Sequence, residues 1–322
     1  MSGITAFDAY IPRGRLSKQA IAEANSWFDS SLKSLGRGER AICNWDEDSI
    51  TMAVEAANNC LCSKLDADLS SLYLASTTFP FLDRQNSVVV SEALNLNKNI
   101  RTMDVGGSQR AATSALISLL ESSGEGDSML VASEHRRSKA GSRAEMLWGD
   151  SAAAVLVGTN NVIAECLAIE SLAVDFIDHY RGEDANFDYD WEERWIRDEG
   201  FMKSVPTVVD KLLDSSSVSA EQINHFILPT DQARTPAALA KKLRINPEAV
   251  VDNQIAEVGV AGAAQPILLL AKALENAKPG EHILLIGFGQ GCDAVLLKAT
   301  DAISSYKPSV GVSAALASRR EE

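Results

Sequence analysis

Twice along this chain an apolar, strand-like run gives way to a helix of small residues and then to further buried strands. In the first half, strand-like runs at 72–75 and 101–105 precede Gly106-Gly107. A small-residue helix follows over 111–120, then apolar strands at 128–132 and 151–157. In the second half, 162–174 alternates like a strand and 225–228 is an apolar run stopped by Pro229. A long small-residue helix covers 261–274, and strands follow at 283–288 and 294–299. Strand, small-residue helix and strand, recurring on either side of residue 165, predict an α/β chain of two related halves. The repeat is one of pattern rather than of residue identity.

Local signals fill in the frame. Over 48–64, Ile50, Val54, Ala57 and Leu61 recur at helical spacing, with Asp48 or Ser49 as cap. Further helices are predicted over 86–94, 201–213 and 236–243. The stretch 175–200 stands apart, dense in charge and carrying Trp191 and Trp195. Segments of this kind serve as lids or interface elements. The two tryptophans, four apart, are expected on one face of a helix with Arg194 and Arg197. The last residues are small and polar and are expected to fray. We therefore delimit halves at 1–165 and 166–304, and a flexible tail at 305–322.

Charge and cysteine use exclude several functions. With 30 Lys+Arg against 44 Asp+Glu the net charge is −14, which argues against sequence-independent nucleic-acid binding. No apolar stretch approaches the ~20 residues a membrane span needs, so neither nucleic acid nor membrane is an expected partner. The N-terminal residues lack the basic-then-apolar pattern of a secretory signal. The five cysteines are odd in number; their only close pair is Cys60/Cys62, and no zinc-ligand spacing is present. Reduced thiols, a cytoplasmic location and no metal are the expectation.

Four segments carry a resemblance. NWDEDSITMAVEAA, starting at Asn44, resembles an early helix of the 3-hydroxy-3-methylglutaryl-CoA (HMG-CoA) synthases. So do Lys241-Lys242-Leu243 after a Pro-initiated helix, and AKPG at 277–280 before an apolar strand and a Gly-rich loop. WGDSAAAV, starting at Trp148, is similar to a segment of the ketoacyl-ACP synthases of type III. The resemblance spans about residues 3 to 300. It implies the thiolase fold, two pseudo-symmetric αβαβα halves forming a five-layered structure that is usually dimeric. The chemistry it implies is acyl transfer to a cysteine at a helix N-terminus, where the dipole lowers the thiol pKa. A histidine and an asparagine stabilise the enolate or oxyanion, and in HMG-CoA synthases a glutamate acts as general base.

Carried residue by residue onto this sequence, the family's functional positions hold other types. Gln109 stands where the cysteine belongs, Pro229 at the histidine, Val260 at the asparagine and Thr77 at the glutamate. Proline has no titratable group, valine donates no hydrogen bond, and glutamine is neither nucleophile nor base. None of the four histidines lies in a matching pattern. We read Gln109 as filling an emptied pocket. The alternatives are a malonyl-type decarboxylase with Gln109 in place of Cys, Ser108 as substitute nucleophile, or Cys292 in the C-terminal Gly-rich loop. A free cysteine is more often a small buried hydrophobe. Arg136, Arg137, Lys139 and Arg143 form a basic cluster that could meet the phosphates of coenzyme A or an acyl-CoA, or serve as a docking patch.

The reading favoured is a non-catalytic structural or regulatory subunit of an acyl-CoA-handling acyltransferase or thiolase complex, with no catalytic residues and no cofactor of its own. It implies a homodimer, or a heteromer with a catalytic thiolase-like subunit and a small OB-fold/zinc-ribbon protein. The rival is an active condensing or acyltransferase enzyme using non-standard residues.

Overall fold

The computed structural model describes residues 2–122 and 126–321. The first half runs β1 (Gly3–Tyr10), β2 (Gly14–Ser17), α1 (Lys18–Asn25), β3 (Glu39–Ile42), α2 (Ser49–Cys62), β4 (Leu69–Ala75) and α3 (Asn86–Ala93). It continues through β5 (Arg101–Val105), α4 (Ala111–Glu121), β6 (Asp127–Glu134), α5 (Arg143–Leu147) and β7 (Ser151–Gly158). The second half opens with β8 (Ala164–Ala173), a small hairpin of β9 (His179–Tyr180) and β10 (Tyr189–Asp190), α6 (Glu193–Trp195) and α7 (Met202–Ser216). Then come β11 (Ile223–Ile227), α8 (Thr235–Leu243), α9 (Gln265–Asn276), β12 (His282–Phe288) and β13 (Gly291–Ala299), followed by α10 (Gly311–Ala317) and β14 (Arg320–Glu321).

The strand order β11-β12-β13-β8-β1-β7-β6-β4-β5 contains one motif twice. In the first half β4 is parallel to both β5 and β6, and β7 is antiparallel to both β6 and β1. In the second, β11 is parallel to β12, and β13 is antiparallel to both β12 and β8. The counterpart of β5 is reduced to a single parallel bridge between Phe226 and Val250. The halves join edge to edge only where Gly3 and Ile4 of β1 meet Glu165 and Ala164 of β8.

Alternation along the strands sorts the core into layers. On β7, Ala153, Val155 and Val157 face a central core with α4 and α9, while Ala152, Ala154 and Leu156 face α2. On β12, Ile283 and Leu285 join the central core, while Leu284 and Ile286 pack under α7 and α8. Strands buried on both faces read as continuous apolar runs, as 151–157 and 283–288 do. The central helices α4 and α9 touch each other and strands of both halves, so small residues such as Ala112, Ala115 and Ala271 keep them close. The result is the expected α/β, five-layered αβαβα arrangement, with α2 and α3 outside one sheet half and α7 and α8 outside the other. The Asp48 carboxylate caps α2 by accepting from Ile50 N and Thr51 N, in a capping box with Thr51.

The tail at 305–322 does not fray through the residues described. Tyr306 Oη donates to Phe7 O (2.7 Å) and accepts from Phe7 N (2.8 Å). The fully buried Asp8 accepts from Gly311 N (2.7 Å) and Val310 N (3.1 Å), which anchors the start of α10, and β14 pairs with β2. Composition missed this because the partners lie some 300 positions upstream. Trp191 and Trp195 also depart from expectation. The helix begins only at Glu193, capped by Glu192, so Trp191 precedes it. Trp195 instead stacks on Phe176, and Trp191 meets Tyr189 edge-on. Among the described residues no helix is long and apolar enough to cross a membrane.

Candidate functional site

The turn between β5 and α4 delivers Gln109 to the mouth of the central layer. Gly107, at φ +80°, lets the chain reverse after β5, and Ser108 Oγ donates to Gly289 O (2.9 Å), tying the turn to the C-terminal Gly-rich loop. Gln109 then lines a cavity of about 220 Å³ together with Pro229, Val260, Arg136, Trp148 and Phe288. Three positions separated by up to 151 residues thus converge on one space. Thr77 does not join them. It lines a larger neighbouring cavity of about 670 Å³, and His179 borders both.

Close backbone approach fixes the wall that carries Val260. Trp148 and Val260 form a parallel bridge, and Val260 N donates to Leu147 O (2.8 Å). A Cβ on Gly149 would lie 1.7 Å from Val258 O, so only glycine permits the contact. Pro229 ends β11, and the next residue is held by Thr230 N donating to Asn253 Oδ1 (3.3 Å).

The segment after β8 closes the cavity with charge. With His179 Nδ1 turned to Asp178 Oδ2 (3.0 Å), His179 Nε2 accepts from the Gln109 amide at 3.2 Å. Gln109 Oε1 is buried with no hydrogen-bond partner. The Arg136 guanidinium lies 3.5 Å over the Trp148 ring and pairs with Asp188, which also accepts from Arg181 (2.7 Å). Burial raises the Asp188 carboxyl, but the Arg136 charge and hydrogen bond, with Arg181 and His179, outweigh it and hold the group below the usual carboxylate range.

The basic cluster is divided by this arrangement. Arg136 is buried and committed to Asp188 and Trp148. Arg143 borders the same cavity and approaches Glu193 (3.5 Å) and Asp231 (3.9 Å). Arg137 borders the larger cavity, and Lys139 is exposed. Cys292 is fully buried among the α7-side apolar residues, and burial pushes its thiol pKa far up.

Sequence reasoning missed Glu134, at the end of β6. Its buried carboxylate accepts from Thr77 N and Oγ1, from Thr78 Oγ1 and from Ala263 N, cross-tying the two halves beneath Gln109. An acid closing the buried run Met129-Leu130-Val131-Ala132 was the available signal. For His179 there was none, because its role depends on where the hairpin lands.

Comparison with known proteins now bears on this geometry. Residues 213–298 match the family model for the C-terminal part of 3-oxoacyl-[acyl-carrier-protein] synthase III. The hydroxymethylglutaryl-CoA synthase of Caldivirga maquilingensis is 27% identical over 316 residues, covering 94% of this chain and 88% of that protein. The structure of 3-oxoacyl-(acyl carrier protein) synthase III from Pseudomonas aeruginosa PAO1 superposes with TM-score 0.80 at 23% identity, covering 93% of this chain and 98% of that one. An HMG-CoA synthase complexed with CoA superposes at 0.83 with 19% identity, covering 100% and 88%. The chain has the thiolase fold, in an HMG-CoA synthase-like form.

What this thiolase-fold cavity offers chemically is limited. Among the described residues that line it there is no cysteine and no serine. Its polar equipment is the amides of Gln109 and Gln232, the Thr230 hydroxyl, the arginines 136 and 143, the Asp178–His179 pair and further carboxylates. These groups bind, orient and move protons, but none is a ready acyl acceptor.

Proposed function

We propose that this chain is a non-catalytic, structural or regulatory subunit of an acyl-CoA-handling acyltransferase or thiolase complex. One observation carries the reading: Gln109, Pro229 and Val260 face one another across a cavity whose described lining has no thiol. Acyl transfer through an acyl-enzyme needs a nucleophile, and an amide, a proline ring and an isopropyl group supply none. The cavity itself is kept. Gln109 Oε1 offers a buried acceptor for an amide N–H of a pantetheine arm, and Arg143 at the wall suits a phosphate, so coenzyme A or an acyl-CoA is the proposed non-covalent ligand. The proposed assembly is a homodimer, or a heteromer with a catalytic thiolase-like subunit and a small OB-fold/zinc-ribbon protein.

The Asp178–His179 pair favours a second reading. An imidazole oriented by a carboxylate, its Nε2 directed at Gln109, is the arrangement of a general base. It would suit an active acyl-CoA enzyme working without an acyl-enzyme, such as a decarboxylase in which the Gln109 amide steadies the enolate.

The test is to assay the purified chain, alone and with a thiolase-like partner, for acyl-CoA turnover and for a covalent adduct by intact mass. The subunit reading expects no adduct and no turnover alone, with the adduct on the partner in the complex. Turnover by the chain alone that disappears in His179→Ala replaces it with the second reading.

A further inference from the structure

Outside the Gln109 cavity, one group of side chains has donor chemistry that neither the fold nor the proposed function uses. Cys43 follows β3, His135 follows β6 and Asp150 precedes β7. Their ligand atoms, Cys43 Sγ, His135 Nδ1 and an Asp150 carboxylate oxygen, all lie within 4.8 Å of one another. We propose that these three residues form a zinc site.

The second observation is the state of the donors. The Asp150 side chain is only 3% exposed, and its Oδ1 is buried with no hydrogen-bond partner. An unmatched buried carboxylate oxygen is costly and calls for a cation. Arg40 acts on Asp150 electrostatically without a hydrogen bond to it; its Nη1 donates to Glu145 O (2.9 Å) and reaches Ser138 Oγ (3.4 Å). His135 Nδ1 lies 3.2 Å from Asp150 Oδ2, so imidazole and carboxylate already face each other. Asp150 Oδ2 accepts from Cys43 N (2.8 Å), so one carboxylate positions the cysteine backbone while its other oxygen stays open. Met52 Sδ sits 3.6 Å from Cys43 Sγ, adding a soft atom beside the thiol.

Thiolate, imidazole and carboxylate together select a borderline ion such as zinc over magnesium or calcium, which prefer oxygen. Thiolate and carboxylate balance its two charges, and binding expels the thiol proton to solvent. Zinc bonds of about 2.0–2.3 Å in tetrahedral geometry place ligand atoms roughly 3.3–3.6 Å apart. The His135 Nδ1–Asp150 Oδ2 pair, at 3.2 Å, lies just short of this spacing, and the Cys43 thiol lies within 4.8 Å of both ligands. His135 also borders the larger cavity, which gives an ion a route to the site.

The test uses the full chain, stripped with a chelator under reducing conditions and titrated with zinc chloride by calorimetry, then with cobalt chloride by absorption. One ion per chain is expected, and cobalt should give a thiolate charge-transfer band with visible bands of a tetrahedral site. Cys43→Ser should abolish the charge-transfer band. His135→Ala, at a partly exposed side chain, removes the His135–Asp150 contact but keeps Cys43 N on Asp150 Oδ2, and should weaken zinc by at least the about 10–100-fold typical of losing a supporting group. Cys62→Ser, at an exposed thiol elsewhere, should change nothing. Absence of stoichiometric binding, or binding that survives both Cys43→Ser and His135→Ala, or binding lost in Cys62→Ser, overturns the proposal. Circular dichroism of each variant identifies any that fails to fold.

Discussion

The two cavities that meet at His179 have been treated differently. Around Gln109 the charged groups are paired, Arg136 with Asp188 and Trp148, Arg143 with Glu193 and Asp231, His179 with Asp178, although Asp178 Oδ1 has no hydrogen-bond partner. The three positions where the resemblance places a Cys-His-Asn set carry inert side chains. Beside the larger cavity the reverse holds. Reactive residue types, Cys43, His135 and Asp150, lie together, and Asp150 Oδ1 is unmatched. The fold that the resemblance implies is present with other residue types at those three positions, whereas a donor set stands where the resemblance expects none.

The strongest way to break this comparison is through the segment that joins its two sides, Trp148-Gly149-Asp150. Gly149→Val places a branched side chain against the backbone of Val258 and Gly259. Chemical denaturation should show a loss of roughly 3–5 kcal/mol, with both the cavity wall and the Asp150 position disturbed. A loss below about 1 kcal/mol would mean the two loops part easily and the walls are independent.

Next in size is Arg136→Ala. Removing one partner of a buried pair costs about 3–5 kcal/mol. Because Arg181 still pairs with Asp188, about 3 kcal/mol is expected, together with faster proteolysis within 175–190. The same pair sets an acid limb. Asp188 is depressed in the folded state, so its contribution is present above the ordinary carboxylate pKa of about 3.9 and is lost as pH falls through the lower folded value. Asp188→Asn should flatten the stability profile there, and an unchanged acid limb would assign it to other carboxylates.

The smallest structural effect is expected from Gln109→Cys, below about 1.5 kcal/mol. A thiol just before α4, near the helix N-terminus, should have a lowered pKa. Incubation with acetyl-CoA should then give an adduct on the introduced thiol by intact mass, without carbon–carbon bond formation, because Pro229 and Val260 are unchanged. A reactive thiol that takes up no acetyl group would show that the cavity does not admit the acyl-CoA.

Much of the architecture was legible because it is local. The apolar runs of β7 and β12, the cap at Asp48 and the break at Gly106-Gly107 are set by residues within a few positions of one another. So is the small-residue character of α4 and α9. The resemblance of motifs in order along the chain placed Gln109, Pro229 and Val260 in correspondence, and the fold puts them around one cavity. Less legible were the ends and inserts. The residues around 305–317 looked polar and loose until Asp8 and Phe7 supplied partners, and Trp191 and Trp195 looked like one helical face until Glu192 set the helix start between them.

What the sequence alone determined is the alternation of buried strands and small-residue helices, hence a two-half α/β chain, and the side-chain types at each position. Tertiary structure decided which of those types meet. His179 reaches Gln109 only because the hairpin of β9 and β10 folds over the cavity. Cys43, His135 and Asp150 come from three segments up to 107 positions apart, brought together by the packing of β3, β6 and β7. Helix and strand periodicity are short-range properties of the backbone and of apolar burial. The meeting of polar groups across the fold is fixed only when the sheet closes and each buried donor or acceptor must find whatever partner then lies within reach.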